Sequence, residues 1–213
     1  MATPVLDEPG VVRLANGGIA PPATPLLRGG GGDDGPVLFD PTRFGLWAFL
    51  GTISMLFIGF TSAYMLRRAS ADWNPITAPS ILWLNTALLA ASSLTLELAR
   101  RRLRGWDLAG TARFAGVTAL LGVLFVTGQF LAWRALRAQG VFLATNPHSS
   151  FFYMLTAIHV LHLSGGLVWF AVIGARLRRL AIEPGSDGLG LFATYWHFLG
   201  LLWAYLLFVL FVL

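Results

Sequence analysis

Glu97, His159, His162 and His197 fall inside long apolar stretches of this sequence, and any chemistry the chain performs would be sought there first. An ionisable group in an apolar interior is costly and marks a functional site unless its partners explain it. His159 and His162 stand three residues apart, a spacing that puts both on one helix face and points them into the same part of a bundle. Neutral imidazole is the commonest metal ligand, so the pair suggests a metal or haem site. A zinc or copper centre would need further ligands, and only His197 is available from another apolar stretch. Bis-histidine haem ligation calls for histidines on two facing helices, and the stretch around residues 114–133 has none. The other reading is that these imidazoles hydrogen-bond between helices or to backbone carbonyls. Glu97 stands beside Arg100 and Arg101, which favours an interfacial ion pair over a buried proton carrier. Asn85 and Gln129 add uncharged polar groups to the same interior. No nucleophile–base constellation or phosphate-binding glycine loop accompanies them. The absence of Cys removes disulfides, CxxC redox chemistry, thiolate metal sites and haem c attachment.

The segments that must position these residues are built for lipid. Of the 213 residues, 56% are hydrophobic and 12% charged, with a mean hydropathy of +0.69; soluble domains carry about a quarter charged residues. Crossing a hydrocarbon core of about 30 Å takes roughly 20 mostly apolar residues. Such stretches run approximately over 44–66, 80–99, 114–133, 149–175 and 189–213. Lipid offers the backbone no hydrogen-bond partners, so each is expected to be a helix. The expected fold is all-α: a five-helix polytopic membrane bundle over 44–213, preceded by a flexible Pro/Gly-rich tail over 1–43 with no signal-peptide pattern.

All 15 basic residues are Arg, and their placement accounts for the pI near 10.7 without invoking nucleic acid. Eleven precede the first stretch or lie between the second and third and between the fourth and fifth, against four on the other side. The positive-inside rule then predicts a cytoplasmic N-terminus and an outside C-terminus. Small residues recur where helices would approach closely, among them Gly45, Gly51, Gly59, Gly116, Gly122, Gly128, Gly165 and Gly166. No Pro interrupts any of the five stretches and no inverted repeat is visible, which argues against a small transporter.

Several motifs carry a resemblance. The first stretch opens Arg43-Phe44-Gly45-Leu46-Trp47 and closes Ser62-Ala63-Tyr64-Met65; the second carries Leu84-Asn85-Thr86 and Ser92-Ser93-Leu94-Thr95. Gln129 precedes Trp133 in the third. The fourth reads Phe151-Phe152-Tyr153, then Thr156 through His159 to His162 and Gly165-Gly166; the fifth carries Tyr195-Trp196-His197-Phe198 and Trp203. In order and spacing these resemble the cytochrome c oxidase subunit III family, in a short five-helix bacterial form lacking the first two helices of the long form.

The resemblance implies a non-catalytic subunit of a proton-pumping haem-copper oxygen reductase in the bacterial cytoplasmic membrane. It would pack directly on subunit I, assemble with subunit II and other respiratory subunits, and hold phospholipid, with haem and copper in partner subunits and no cofactor, metal or catalytic residue of its own. Relatives of the family also serve quinol oxidases and nitric oxide reductases, and a free-standing membrane haem or metal protein is the alternative outside it. Arg176 falls where the family has an arginine that meets lipid headgroups. Asn85, Gln129, His159, His162, Gly166, Trp196, His197 and Trp203 become structural motif residues. Two positions depart from the pattern: Ile53 and Gly200 stand where relatives often have carboxylates discussed in connection with proton uptake.

Overall fold

A computed structural model describes residues 40–178 and 188–212, apart from the side chains of 176–178. These residues form five helices: α1 Pro41–Arg68, α2 Ile81–Arg104, α3 Leu108–Ala138, α4 Pro147–Arg178 and α5 Gly188–Phe211. All five are long and apolar enough to cross a membrane, and no strand occurs among the described residues.

α1, α3 and α4 continue beyond both ends of their apolar stretches and α2 beyond its C-terminal end, whereas α5 stops at Phe211; at α1 and α3 capping, not hydropathy, sets the ends. Asp40 caps α1, its carboxylate accepting from the amides of Thr42 (2.9 Å) and Arg43 (3.3 Å), while Pro41 supplies a first residue that needs no donor. The residues 41–43 expected in the tail therefore belong to α1; the rest of that tail, residues 1–39, lies outside the described residues. Asp107 caps α3 by accepting from the Gly110 amide at 2.8 Å. That amide, followed by Arg102 and Arg113, holds the Asp107 carboxyl below the usual carboxylate range, outweighing desolvation. At the far end of α3 the amide of Gly140 donates to Arg137 and that of Val141 to Leu136, both at 3.0 Å. This is a Schellman closure with Gly140 in the left-handed region at φ 79°. Arg134 and Arg137, beyond the apolar stretch that ends at 133, therefore lie in the last turns of α3, and Arg176 lies in the last turns of α4.

The helices do not pack in chain order alone. α2 lies along α3, α3 against α4, α4 against α5 and α5 back against α2, a closed ring of four. α1 sits outside it, packed on α4 and α5 and not on its sequence neighbour α2. The core between them is built from Phe125, Phe152, Phe192, Trp196 and Trp203 with Leu89, Leu96 and Leu206, all essentially buried.

Of the glycines expected at packing positions, three are close contacts. A Cβ on Gly122 would lie 2.9 Å from the Leu167 side chain and 3.0 Å from Trp196. On Gly166 it would lie 2.8 Å from the Tyr195 ring, and on Gly128 it would overlap the Asn85 side chain. A Cβ on Gly45, Gly51, Gly59, Gly116 or Gly165 would meet nothing within 4 Å, so their expected close-packing role does not hold among the described residues. They lie on outward faces, where a count of small residues cannot distinguish lipid from a neighbouring helix.

Candidate functional site

The buried polar groups form a seam of side-chain hydrogen bonds between helices. Two tryptophans, seven residues apart and so on one face of α5, bind α2: Trp196 donates its indole N–H to Ser92 Oγ at 2.9 Å and Trp203 to Thr86 Oγ1 at 3.1 Å. Thr95 of α2 meets Thr118 of α3 at 2.8 Å. Trp133 of α3 donates to Thr156 Oγ1 of α4 at 3.1 Å, and the Tyr195 hydroxyl of α5 donates to the His162 carbonyl at 2.8 Å. Asn85 Nδ2 donates to Gln129 Oε1 at 3.3 Å, both residues fully buried, leaving Asn85 Oδ1 and Gln129 Nε2 without a partner among the described residues. In a membrane each such bond contributes about 0.6 kcal/mol on average, so the seam registers the helices more than it glues them.

The histidines divide among separate environments. Three residues on an α-helix subtend about 300°, leaving the two rings about 60° apart, enough to send them to different neighbours. His159 is fully buried between Phe125 of α3 and Trp203 of α5, with ring centroids 5.9 and 5.2 Å away. His162 is only partly buried; it donates from Nδ1 to the Ile158 carbonyl at 2.8 Å and lies 6.2 Å from the Phe57 ring of α1. The expectation that both point into the same part of the bundle is corrected accordingly. So is the expectation of a hydrogen bond for His159, whose two ring nitrogens have no partner among the described residues; its neighbours there are aromatic faces. His197 lies within electrostatic reach of Glu97 and Arg100. No group of three or more His, Cys, Asp or Glu able to hold a metal occurs among the described residues.

Glu97 forms the expected ion pair, bonding Arg100 at 3.0 Å, with Arg104 at 3.2 Å and Arg101 at 3.5 Å around the same carboxylate. Ile53 is buried at 2% exposure within the apolar core. Gly200 faces Ser93, whose hydroxyl would lie 3.7 Å from an added Cβ. The Arg176 side chain lies outside the described residues.

His148 is the polar residue that the sequence reading passed over. Its Nδ1 accepts the Ile76 amide at 2.9 Å, which fixes the proton on Nε2, and Nε2 donates to the Leu210 carbonyl at 3.1 Å. The ring stacks on Trp73 at 5.0 Å, and the Tyr64 ring packs against both. It escapes a hydropathy search because it precedes the apolar stretch; the Asn146-Pro147-His148-Ser149 capping pattern, in which Asn146 Oδ1 accepts from the Ser149 amide, is the signal that places it in a helix.

A family profile described as cytochrome c oxidase subunit III matches residues 31–213. The chain belongs to the cytochrome c oxidase subunit III family. It is 30% identical over 181 residues to cytochrome c oxidase subunit 3 of Synechocystis sp., covering 82% of this chain and 76% of that one. It is likewise 30% identical to the probable cytochrome c oxidase subunit 3 of Nocardia farcinica (73% and 79% covered) and to cytochrome c oxidase subunit 3 of Thermostichus vulcanus (79% and 86%). As a cytochrome c oxidase subunit III family member it is a multi-pass protein of the bacterial inner membrane and part of a haem-copper oxidase complex.

Proposed function

We propose that this subunit is the non-catalytic component of a proton-pumping haem-copper oxygen reductase. It packs on subunit I, assembles with subunit II, and holds phospholipid, while haem and copper reside in the partner subunits. The observation that supports this is how the buried polar groups are used. Ser92, Thr86, Thr118 and Thr156 each engage a neighbouring helix, and the His159 ring is enclosed by Phe125 and Trp203 rather than gathered with other ligands. Such an interior orders a bundle. With Ile53 in the apolar core and Gly200 against Ser93, proton collection by the complex proceeds without carboxylates at these positions. Asn85, Gln129, Gly166, Trp196, His197 and Trp203 are structural in this reading, and the arginine bias of the helix ends orients the N-terminus to the cytoplasm.

The test is a mild-detergent pulldown of the tagged chain, with a reduced-minus-oxidised spectrum of the eluate. Haem bands accompanied by a large polytopic partner support the reading and report the donor class; a colourless eluate without partners, or haem on this chain alone, overturns it. Arg176, in the last turns of α4, is assigned to a lipid headgroup. Arg176→Ala is expected to deplete tightly held anionic lipid in native mass spectra of the complex, and unchanged lipid stoichiometry would count against that assignment.

A further inference from the structure

At the end of the bundle opposite Arg176, a groove of about 950 Å³ opens between α3 and α4. Trp133 and Arg137 line one wall, Tyr153, Met154 and Ala157 the other, and Phe142 of the connecting loop closes the end. Its shape is fixed from below. The Tyr153 hydroxyl donates to the carbonyls of Val141 (2.9 Å) and Trp133 (3.3 Å), and Ser150 Oγ donates to the Leu143 carbonyl at 2.6 Å. The loop thus pinned presents apolar side chains outward: Phe142 is 54% and Leu143 57% exposed.

We propose that this groove is a phospholipid site, with the Arg137 guanidinium on the phosphate and an acyl chain along Trp133, Met154 and Ala157. The depth fits. Arg137 stands about 21 Å from the midpoint of α3 at 1.5 Å per residue, and headgroups lie about 20 Å from the midplane of a bilayer about 40 Å thick overall. Trp133, one turn inward, then falls at the hydrocarbon boundary, where indoles concentrate. The charge fits as well: Arg137 is exposed and has no carboxylate partner among the described residues. Its place in the last turn complements the α3 dipole whether or not a lipid binds; the apolar groove at its side and the outward Phe142 and Leu143 are what a dipole role leaves unexplained. The site extends the lipid-holding reading to a second position and does not depend on Arg176.

The experiment is native mass spectrometry of the intact oxidase complex released from nanodiscs of phosphatidylglycerol and phosphatidylcholine, comparing Arg137→Gln with Arg134→Gln, an equal charge change one turn earlier. Arg137→Gln should lose one retained phospholipid and bind phosphatidylglycerol about fivefold more weakly, while Arg134→Gln keeps it. Ala157→Phe, an exposed substitution that fills the groove and leaves the arginine in place, should lose the same lipid. Equal lipid retention in all three variants overturns the proposal; if Arg176→Ala still sheds a lipid in that case, the general lipid-holding reading survives it. Loss of a protein subunit instead of a lipid from Arg137→Gln also overturns it, making the groove a protein interface.

Discussion

At the residue scale each indole N–H of the seam has one hydroxyl acceptor among the described residues. Ser92→Ala removes the only partner of the Trp196 indole N–H among the described residues, and both residues are fully buried. A buried unpaired donor costs about 1–3 kcal/mol in soluble proteins, whereas interhelical bonds in membranes reach at most about 1.7 kcal/mol. The second scale governs here, so the expected loss is about 1 kcal/mol in detergent unfolding, and Ser92→Thr restores most of it. A loss indistinguishable from zero would mean that the bond carries no stability. The sequence made the polar residues visible but not their pairing. Trp196 and Trp203 were legible as a motif, yet the hydroxyls of Ser92 and Thr86 become their acceptors only because α2 lies beside α5, a neighbour relation that no local pattern encodes. The histidine pair failed for a related reason: an offset of three residues is close to one face and not on it, and the neighbouring side chains decide which groove each ring enters.

At the element scale, the number and approximate position of the helices were legible because apolar length is a strong signal in lipid. Their ends and neighbours were not. Hydropathy stops where arginines begin, while capping by Asp40 and Asp107 and the Gly140 closure carry the backbone further. Lateral packing leaves its mark only at glycines whose missing Cβ another helix exploits. Gly128 and Gly45 look alike in the sequence, but an added Cβ overlaps Asn85 at Gly128 and meets nothing at Gly45. Gly128→Ala is therefore expected to displace Asn85 from Gln129 and destabilise the bundle by about 1–3 kcal/mol, the usual cost of overpacking a core. Gly45→Ala should be neutral or slightly stabilising in the isolated subunit, since Ala forms helix better than Gly by about 1 kcal/mol. Parallel thermal scans of the two variants check this, and equal melting would refute the contrast. If Gly45→Ala lowers assembly with the oxidase while leaving the isolated subunit intact, the open glycine is used against a partner.

At the scale of the whole molecule, the arrangement is a closed ring of four helices with α1 held outside it, so the path from α1 to α2 must cross from the outside of the ring to its wall. The loop over 69–80 makes that crossing, and His148 pins it. Its imidazole joins the loop amide of Ile76 to the Leu210 carbonyl at the end of α5, while Trp73 stacks on the ring and Tyr64 of α1 packs against both. Three parts of the chain, remote in sequence, therefore meet on a single side chain. His148→Ala leaves the buried Ile76 amide unpaired and the Leu210 carbonyl with only the Tyr64 hydroxyl, at 3.5 Å, for an expected loss of about 1–3 kcal/mol. That penalty falls on the link between α1 and the ring more than on the ring itself, whose seam at Trp196 and Trp203 is untouched. Hydrogen exchange should therefore rise first at Ile76 and along 69–80, and then in α1, with α2 and α3 protected as before. His148→Gln, able to make one of the two bonds, should fall between the two proteins. Uniform loss of protection across all five helices would show that α1 and the ring fold as one cooperative unit. Unchanged exchange at Ile76 would show that Trp73 and Tyr64 hold the crossing without the imidazole.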